Sequence, residues 1–373
     1  MKIKGAVLTE IGRLRPYVDS QPLSVVELEL DDPGPDEVLV RIEAAGLCHS
    51  DLSVVNGNRP RPVPMLLGHE AAGVVVAVGS NVDDVELGQR VVTVFLPRCG
   101  SCGNCATGGK LPCVVGSEAN AAGVLLGNEL RLHRDGESVN HHLGVSAFAT
   151  HAVVNRKSIV PVDSDIPPQV AAVLGCAVLT GGGAVINAAK PQEGDTIMIV
   201  GLGGVGMAAL LTALSVTSAW SETGTVIGVD SNPDKLRRAM DLGSSATYSP
   251  DEVVALGIKA SIVIEAAGHP RAFETAVSAT AAGGTTVTVG LPAPGATAAI
   301  EPLSITAEAR TIIGSYLGSA VPSRDIPIYV KMWREGRLPL EELISSVIEL
   351  DEINLALDEL ADGKAIRQVV VFN

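Results

Sequence analysis

Aromatic side chains are scarce, at 3% of 373 residues, although 46% of the chain is hydrophobic. The cores must therefore be built from Val, Ile, Leu and Ala, which favours buried strands with small-residue helices packed on them. Positive charge is also short: 27 Lys and Arg face 42 Asp and Glu, a formal net charge of −15. Such a surface repels nucleic acid and anionic lipid, and no run of Lys and Arg counters it. The first residues, MKIKGAVLTEIG, lack a long apolar core, so no secretory signal is expected. Two stretches carry no charge, Ile166–Ala189 and Thr196–Ser221, and length alone would admit them as membrane spans. Both contain clustered glycines and the second reads as strand, turn and helix, so buried α/β segments are expected instead.

At about 100–200 residues per domain, the length fits two domains. The first part holds strand-like runs between turn signals: VLVRIEAAG, AAGVVVAVG and QRVVTVF. Short strands of this kind indicate a β domain whose loops carry the polar chemistry. The middle alternates strand and helix: TIMIVG, a helix near Val205–Val216, TVIGVD, then NPDKLRRAMDLG, ASIVIEAAG, AFETAVSATAAGG and TTVTVGLP. That alternation predicts an α/β fold with a parallel, doubly wound sheet covered on both faces. From Val321 the tail reads as two amphipathic helices, YVKMWREG and LDEINLALDELADG, and a last strand, RQVVVF. Soft boundaries near 177 and 320 follow, with the tail returning to the first domain.

Gly201-Leu202-Gly203-Gly204-Val205-Gly206 matches G-x-G-x-x-G at the end of one expected strand and the start of a helix. Gly201 permits the turn, Gly203 lets a pyrophosphate approach the backbone, and Gly206 allows close helix–strand packing. The helix N-terminus then offers unpaired N–H groups to the phosphates. Asp230 ends the next strand, somewhat beyond the usual ~20 residues; the stretch 217–224 reads as an insertion that absorbs the difference. A carboxylate there binds the ribose hydroxyls of NAD and repels the 2′-phosphate of NADP, so NAD is the expected coenzyme.

All six cysteines sit at informative places. Cys99, Cys102, Cys105 and Cys113 supply four thiolates within one short loop, which suits a structural tetrahedral Zn²⁺ with no open position. An iron–sulfur cluster is the rival, but the last spacing and the missing Cys-Pro fit it poorly. Cys48, His69 and Cys176 would make a three-ligand site with a fourth position open. Taken alone, they read equally as buried thiols and a satisfied core histidine.

These motifs together resemble the zinc-containing alcohol dehydrogenases of the medium-chain dehydrogenase/reductase superfamily, over essentially the whole chain. AAGLCHSD resembles that family's first ligand loop, GHEAAGVVVAVG its zinc signature, LGCAVLTGGGA its third ligand region and GKAIRQVVVF its C-terminal end. The resemblance implies a GroES-like β-rich catalytic domain, residues 1–177 with 321–373, and a Rossmann coenzyme domain, 178–320. Cys48, His69 and Cys176 would hold a catalytic zinc, the Cys₂His set known of alcohol dehydrogenases. Asp51 would orient the His69 ring, and Glu70 would lie behind the metal. Ser50 would take the proton of the alcohol. Thr180, Gly201, Gly203, Gly204, Val205, Gly206, Asp230, Lys235 and Arg367 would surround the coenzyme, with Arg367 and His49 on its phosphates. Phe95, His142, Leu143, Leu291 and Tyr316 would wall a mostly apolar pocket.

The implied activity is hydride transfer between NAD and a primary alcohol or aldehyde, aromatic or of medium length, in a cytoplasmic homodimer of the liver-type branch with two zinc ions per chain. Neither nucleic acid nor a membrane is an expected partner. Two alternatives stand beside it: oxidation of a formaldehyde adduct with a thiol other than glutathione, and a non-catalytic NAD-binding protein on the same fold. VVGSEANAAG, after the last loop cysteine, lacks the Arg of the glutathione-dependent subgroup. The chain also departs from its relatives at Ser53, where many carry a His that ends a proton relay. Serine is no base near neutrality, so His49 or water must finish that relay.

Overall fold

Glu37–Leu47, with Val38, Val40 and Ile42 alternating along its first half, forms an eleven-residue strand at the centre of a seven-stranded sheet. It pairs antiparallel with Ala71–Val78, His151–Asn155 and Gln368–Val371. Arg90–Thr93, Ile159–Pro161 and Ser346–Ile348 complete the sheet. Lys2–Leu8, Leu23–Leu30, Met65–Leu66, Leu132–Arg134 and Glu137–His141 close into a barrel beside it. Helix Ile353–Ala361 lays Ile353, Ala356, Leu357 and Leu360 on the same core as Val40, Ile42 and Phe148. That is the i, i+3, i+4, i+7 stripe of an amphipathic helix. At about 1.5–3 kcal/mol for each fully buried aliphatic side chain, packing rather than propensity holds so short a helix.

The computed structural model describes residues 1–221 and 224–372, and the chain divides into two units. The first comprises Met1–Cys176, Val321–Pro327 and Ile344–Asn373; the second, Ala177–Ala320 and Ile328–Leu343. The tail was expected to return whole to the first unit. Instead Ile328–Leu343 belongs to the second, where Tyr329, Leu338, Leu340 and Leu343 are buried and Arg238 pairs with Glu342.

The second unit is a six-stranded sheet, parallel throughout. Its spatial order is Ala246–Tyr248, Thr225–Val229, Thr196–Val200, Ala260–Glu265, Thr280–Thr288, Thr311–Gly314. Numbered along the chain, that is 3-2-1-4-5-6, the doubly wound order of dinucleotide-binding sheets. Ile197, Met198 and Ile199 are fully buried, which is why this strand shows no polar alternation. One expected helix ends early: AFETAVSATAAGG is helical only to Ala279, and its β-branched Thr280 starts the next strand. The insertion at 217–224 includes 222 and 223, which lie outside the described residues. Among the described residues no single helix is long and apolar enough to cross a membrane. Ile166–Ala189 breaks into short pieces at Cys176, and Thr196–Ser221 is a strand followed by helix Gly204–Thr217.

Candidate active site and coenzyme site

Cys48 stands at the start of helix His49–Val55, with extended backbone, and its N–H donates to Asp51 Oδ2 at 3.0 Å. The other carboxylate oxygen, Asp51 Oδ1, receives the Nδ1–H of His69 at 3.0 Å. His69 precedes the strand Ala71–Val78 and follows Gly68, whose φ of +92° and approach to Phe148 leave no room for a side chain: a Cβ would sit 2.4 Å from Phe148 N. Cys176 ends the turn Val173–Gly175. The two sulfurs and a His69 nitrogen lie within 4.8 Å of one another, all three residues buried. His69 Nε2 is cut off from solvent with no hydrogen-bond partner. A buried nitrogen left unmatched between two thiols fits a metal ion, held by three ligands with a fourth position open.

Charge at the site is arranged to suit that ion. Burial works to raise the Asp51 carboxyl, but His69 and His142 beside it hold it down at about 2. Asp51 is therefore a carboxylate, and it fixes the proton of His69 on Nδ1, leaving Nε2 as the ligand atom. The neighbouring Cys176 sulfur pulls the Cys48 thiol down, and the Cys48 sulfur together with burial pushes Cys176 up.

Behind them lies a pair that no sequence signal announced. Arg367 Nη1 is 3.1 Å from Glu70 Oε1 and donates to the Leu47 carbonyl at 3.1 Å. Glu70 is fully buried and Arg367 only 2% exposed, and Arg367 Nε has no partner. Burial pushes Glu70 up to about 7 against the pull of Arg367. Arg367, expected on a pyrophosphate, is thus turned inward onto Glu70.

His49 is exposed and Ser50 half-buried. Ser53 Oγ donates to the His49 carbonyl at 2.7 Å, so its one proton is engaged within the helix. Of the expected pocket walls, Phe95 and His142 meet the His69 ring edge-on, at centroid distances of 5.6 and 5.4 Å. Leu143 is buried in the same unit, whereas Leu291 and Tyr316 are exposed residues of the second unit.

The four loop cysteines form a second cluster, with sulfurs within 4.8 Å of one another. Cys99 and Cys105 Sγ are 3.9 Å apart, Cys102 and Cys113 Sγ 4.0 Å. Tetrahedral zinc with Zn–S of about 2.3 Å requires sulfurs about 3.8 Å apart, so the cage is already the right size. Backbone N–H groups at Ser101 and Cys102 bring the Cys99 thiol down to about 6. None of the six cysteines is in a disulfide.

In the second unit each motif glycine has a distinct reason. Gly201 turns at φ +93°; a Cβ on Gly206 would lie 1.7 Å from the Gly201 carbonyl oxygen; Gly203 has nothing within 4 Å. The open face at Gly203 and the N-terminus of Gly204–Thr217 fit a pyrophosphate, with Gly204 and Val205 in the first turn. Asp230 accepts the Leu202 N–H at 2.7 Å through Oδ2 and the Asn232 N–H at 2.9 Å through Oδ1. Those two bonds fix the orientation of its carboxylate at the end of the strand Thr225–Val229. Thr180 is buried in helix Ala177–Gly183, and Lys235 half-buried in Pro233–Asp241.

Comparisons agree with this geometry. Residues 34–164 match the alcohol dehydrogenase GroES-like domain and 204–334 the zinc-binding dehydrogenase family. Alcohol dehydrogenase B of Mycobacterium tuberculosis is 35% identical, covering 99% of this chain and 98% of its own. An S-(hydroxymethyl)glutathione dehydrogenase of Synechocystis is 31% identical over 99% of this chain and 100% of its own. The crystal structure of benzyl alcohol dehydrogenase from Acinetobacter calcoaceticus superimposes with a TM-score of 0.90 at 30% identity, covering all of both chains.

Proposed function

This chain belongs to the zinc-containing alcohol dehydrogenases, NAD-dependent oxidoreductases, and we propose that its substrate is a primary alcohol, aromatic or of medium length, with the matching aldehyde. The observation that carries this reading is the buried Cys48–His69–Cys176 set, with its unmatched His69 Nε2 and one ligand position to spare. When bound, zinc supplies Lewis acidity to the substrate oxygen and NAD accepts the hydride. Cys48, His69 and Cys176 would hold the metal, and Asp51 keeps the His69 proton on Nδ1. Ser50 Oγ takes the hydroxyl proton of the substrate and passes it outward. His49, exposed in the first turn of the same helix, is the nearby imidazole able to receive it. Gly203 and the helix behind it cradle the pyrophosphate, and Asp230 selects the unphosphorylated ribose. Phe95 and Leu143 supply apolar wall. The similarity to benzyl alcohol dehydrogenase supports an aromatic alcohol.

The thiol-adduct alternative draws on the S-(hydroxymethyl)glutathione dehydrogenase relatives. Helix Val114–Ala122 carries no basic residue to meet a glutathione carboxylate, which favours the plain alcohol. We infer a homodimer from the long segment between Cys113 and Phe148, which resembles that of the liver-type branch, and a cytoplasmic location from the family resemblance; sedimentation velocity and cell fractionation would test the two. The deciding experiment follows NADH formation with aliphatic, benzylic and polyol alcohols, and with formaldehyde plus thiols, beside NADP⁺ and chelator controls. Chelator-sensitive turnover of benzylic or medium-length alcohols with NAD⁺ is expected. Turnover only with a thiol and formaldehyde would replace the reading with its alternative.

A further inference from the structure

His142 was expected only as pocket wall, but its surroundings are those of a different role. The side chain is 1% exposed. Its Nδ1 lies 3.3 Å from Asp51 Oδ1, the same oxygen that receives the His69 proton. At 3.3 Å the approach is a dipole–charge contact rather than a full hydrogen bond, and His142 Nδ1 has no other partner. An unmatched buried nitrogen is costly and calls for a reason. The reason offered by the geometry is the carboxylate: it is the nearest charge, and His142 is the one of its three polar neighbours that is neither a proposed ligand nor part of the helix start. The ring also meets His69 edge-on at 5.4 Å, opposite in kind to the apolar edge contact from Phe95 at 5.6 Å. His142 thus touches both halves of the Asp51–His69 couple.

We propose that His142 is a positioning residue for His69: through Nδ1–H toward Asp51 Oδ1 and through its ring against the imidazole, it fixes the carboxylate that fixes the metal ligand. The proposal rests on the reading of Cys48, His69 and Cys176 as metal ligands. Partners of this outer kind are worth about 10–100-fold in metal affinity. A pocket wall would instead act on substrate binding alone.

The test follows zinc release from the purified, zinc-loaded protein to a chromophoric chelator, with the phase belonging to the Cys48 site identified by its absence in Cys48→Ser. His142→Phe keeps the ring and its edge contact but has no donor. His142→Asn places an amide N–H near the Nδ1 position, whereas His142→Gln places one near Nε2. Release from the Cys48 site is expected to be about 10-fold or more faster in His142→Phe and His142→Gln and restored in His142→Asn, while release from the four-cysteine site stays unchanged. Should His142→Phe fail to fold, the Asn and Gln variants still decide the matter between them. Equal release rates in all variants, with only KM for the alcohol altered, would overturn the proposal and leave His142 a wall. A zinc content of one per native chain, confined to the loop cysteines, would instead sink the ligand reading beneath it.

Discussion

Above pH 7, where its carboxyl is ionised, Glu70 forms a buried ion pair with Arg367, and at pH 8 Glu70→Gln would remove the negative half while keeping the side chain's shape. At a separation of 3.1 Å, Coulomb's law with an effective dielectric of 20 gives about 5 kcal/mol of attraction. Much of that only offsets the cost of taking both charges out of water. The loss of one partner is a different matter, because the survivor keeps its burial penalty; such single deletions cost about 3–5 kcal/mol. For a domain of this size that is a fall in melting temperature of about 6–20 °C. Arg367→Met alone should cost a similar amount, since Glu70 would then be the stranded charge. The double variant, Glu70→Gln with Arg367→Met, should be less destabilised than the sum of the two, because no charge is left unpaired. Both tryptophans, Trp220 and Trp333, belong to the second unit, so their fluorescence would not report on this pair. Circular dichroism melts of the four proteins, read with zinc release, would. A Glu70→Gln protein melting within two degrees of the parent, or a double variant losing the full sum, would refute the reasoning.

Three further outcomes are expected. His141 is buried, its Nε2 accepts the Arg131 N–H at 3.1 Å, and burial, then Arg131 and His133, bring its pKa down to about 3. The unfolded chain takes that proton near pH 6.5, so this contribution is whole above 6.5 and drains away as pH falls toward 3. Between pH 6.5 and 5 it amounts to about 2 kcal/mol, which His141→Gln should abolish; urea unfolding at both pH values measures it, and an unaltered acid slope would contradict it. At the proton relay, Ser53→His should raise turnover at low pH and His49→Ala should depress it; identical kcat–pH profiles in both variants would show that neither position carries protons. Gly206→Ala would drive a methyl into the Gly201 carbonyl. NADH titration should show affinity falling by about 100-fold or more, some 2.7 kcal/mol, with zinc content intact, and native affinity would mean the turn yields more easily than its packing indicates.

What the sequence disclosed was mostly what lies close together along the chain. The glycine motif, the strand before it and Asp230 sit within one βαβ unit, and the four loop cysteines within one loop, so spacing alone was informative. The ligand set Cys48, His69 and Cys176 is spread over three elements and became legible only through resemblance. Glu70 with Arg367, and His142 with Asp51, gave no signal, because each pair joins segments distant in sequence. The tail went astray for a related reason: an amphipathic helix announces that it has an apolar face, but not which core will cover it. Thr280 was misplaced because a helix end and a strand start abut there without an intervening turn.

The loop from Cys99 to Cys113 has little apolar substance, and most of its residues are exposed. The four sulfurs draw its two ends and its middle together, which makes the cluster a cross-link. Closing a loop of about 15 residues withdraws roughly 3 kcal/mol of freedom from the unfolded chain, as it would for a disulfide. Unlike a disulfide, a thiolate clasp keeps its hold in reducing solvent. Its vulnerability lies elsewhere, in chelators and in oxidants that pair the sulfurs with one another, and these would leave the loop to the hydrogen bonds that Arg98, Lys157 and Arg324 donate to its carbonyls.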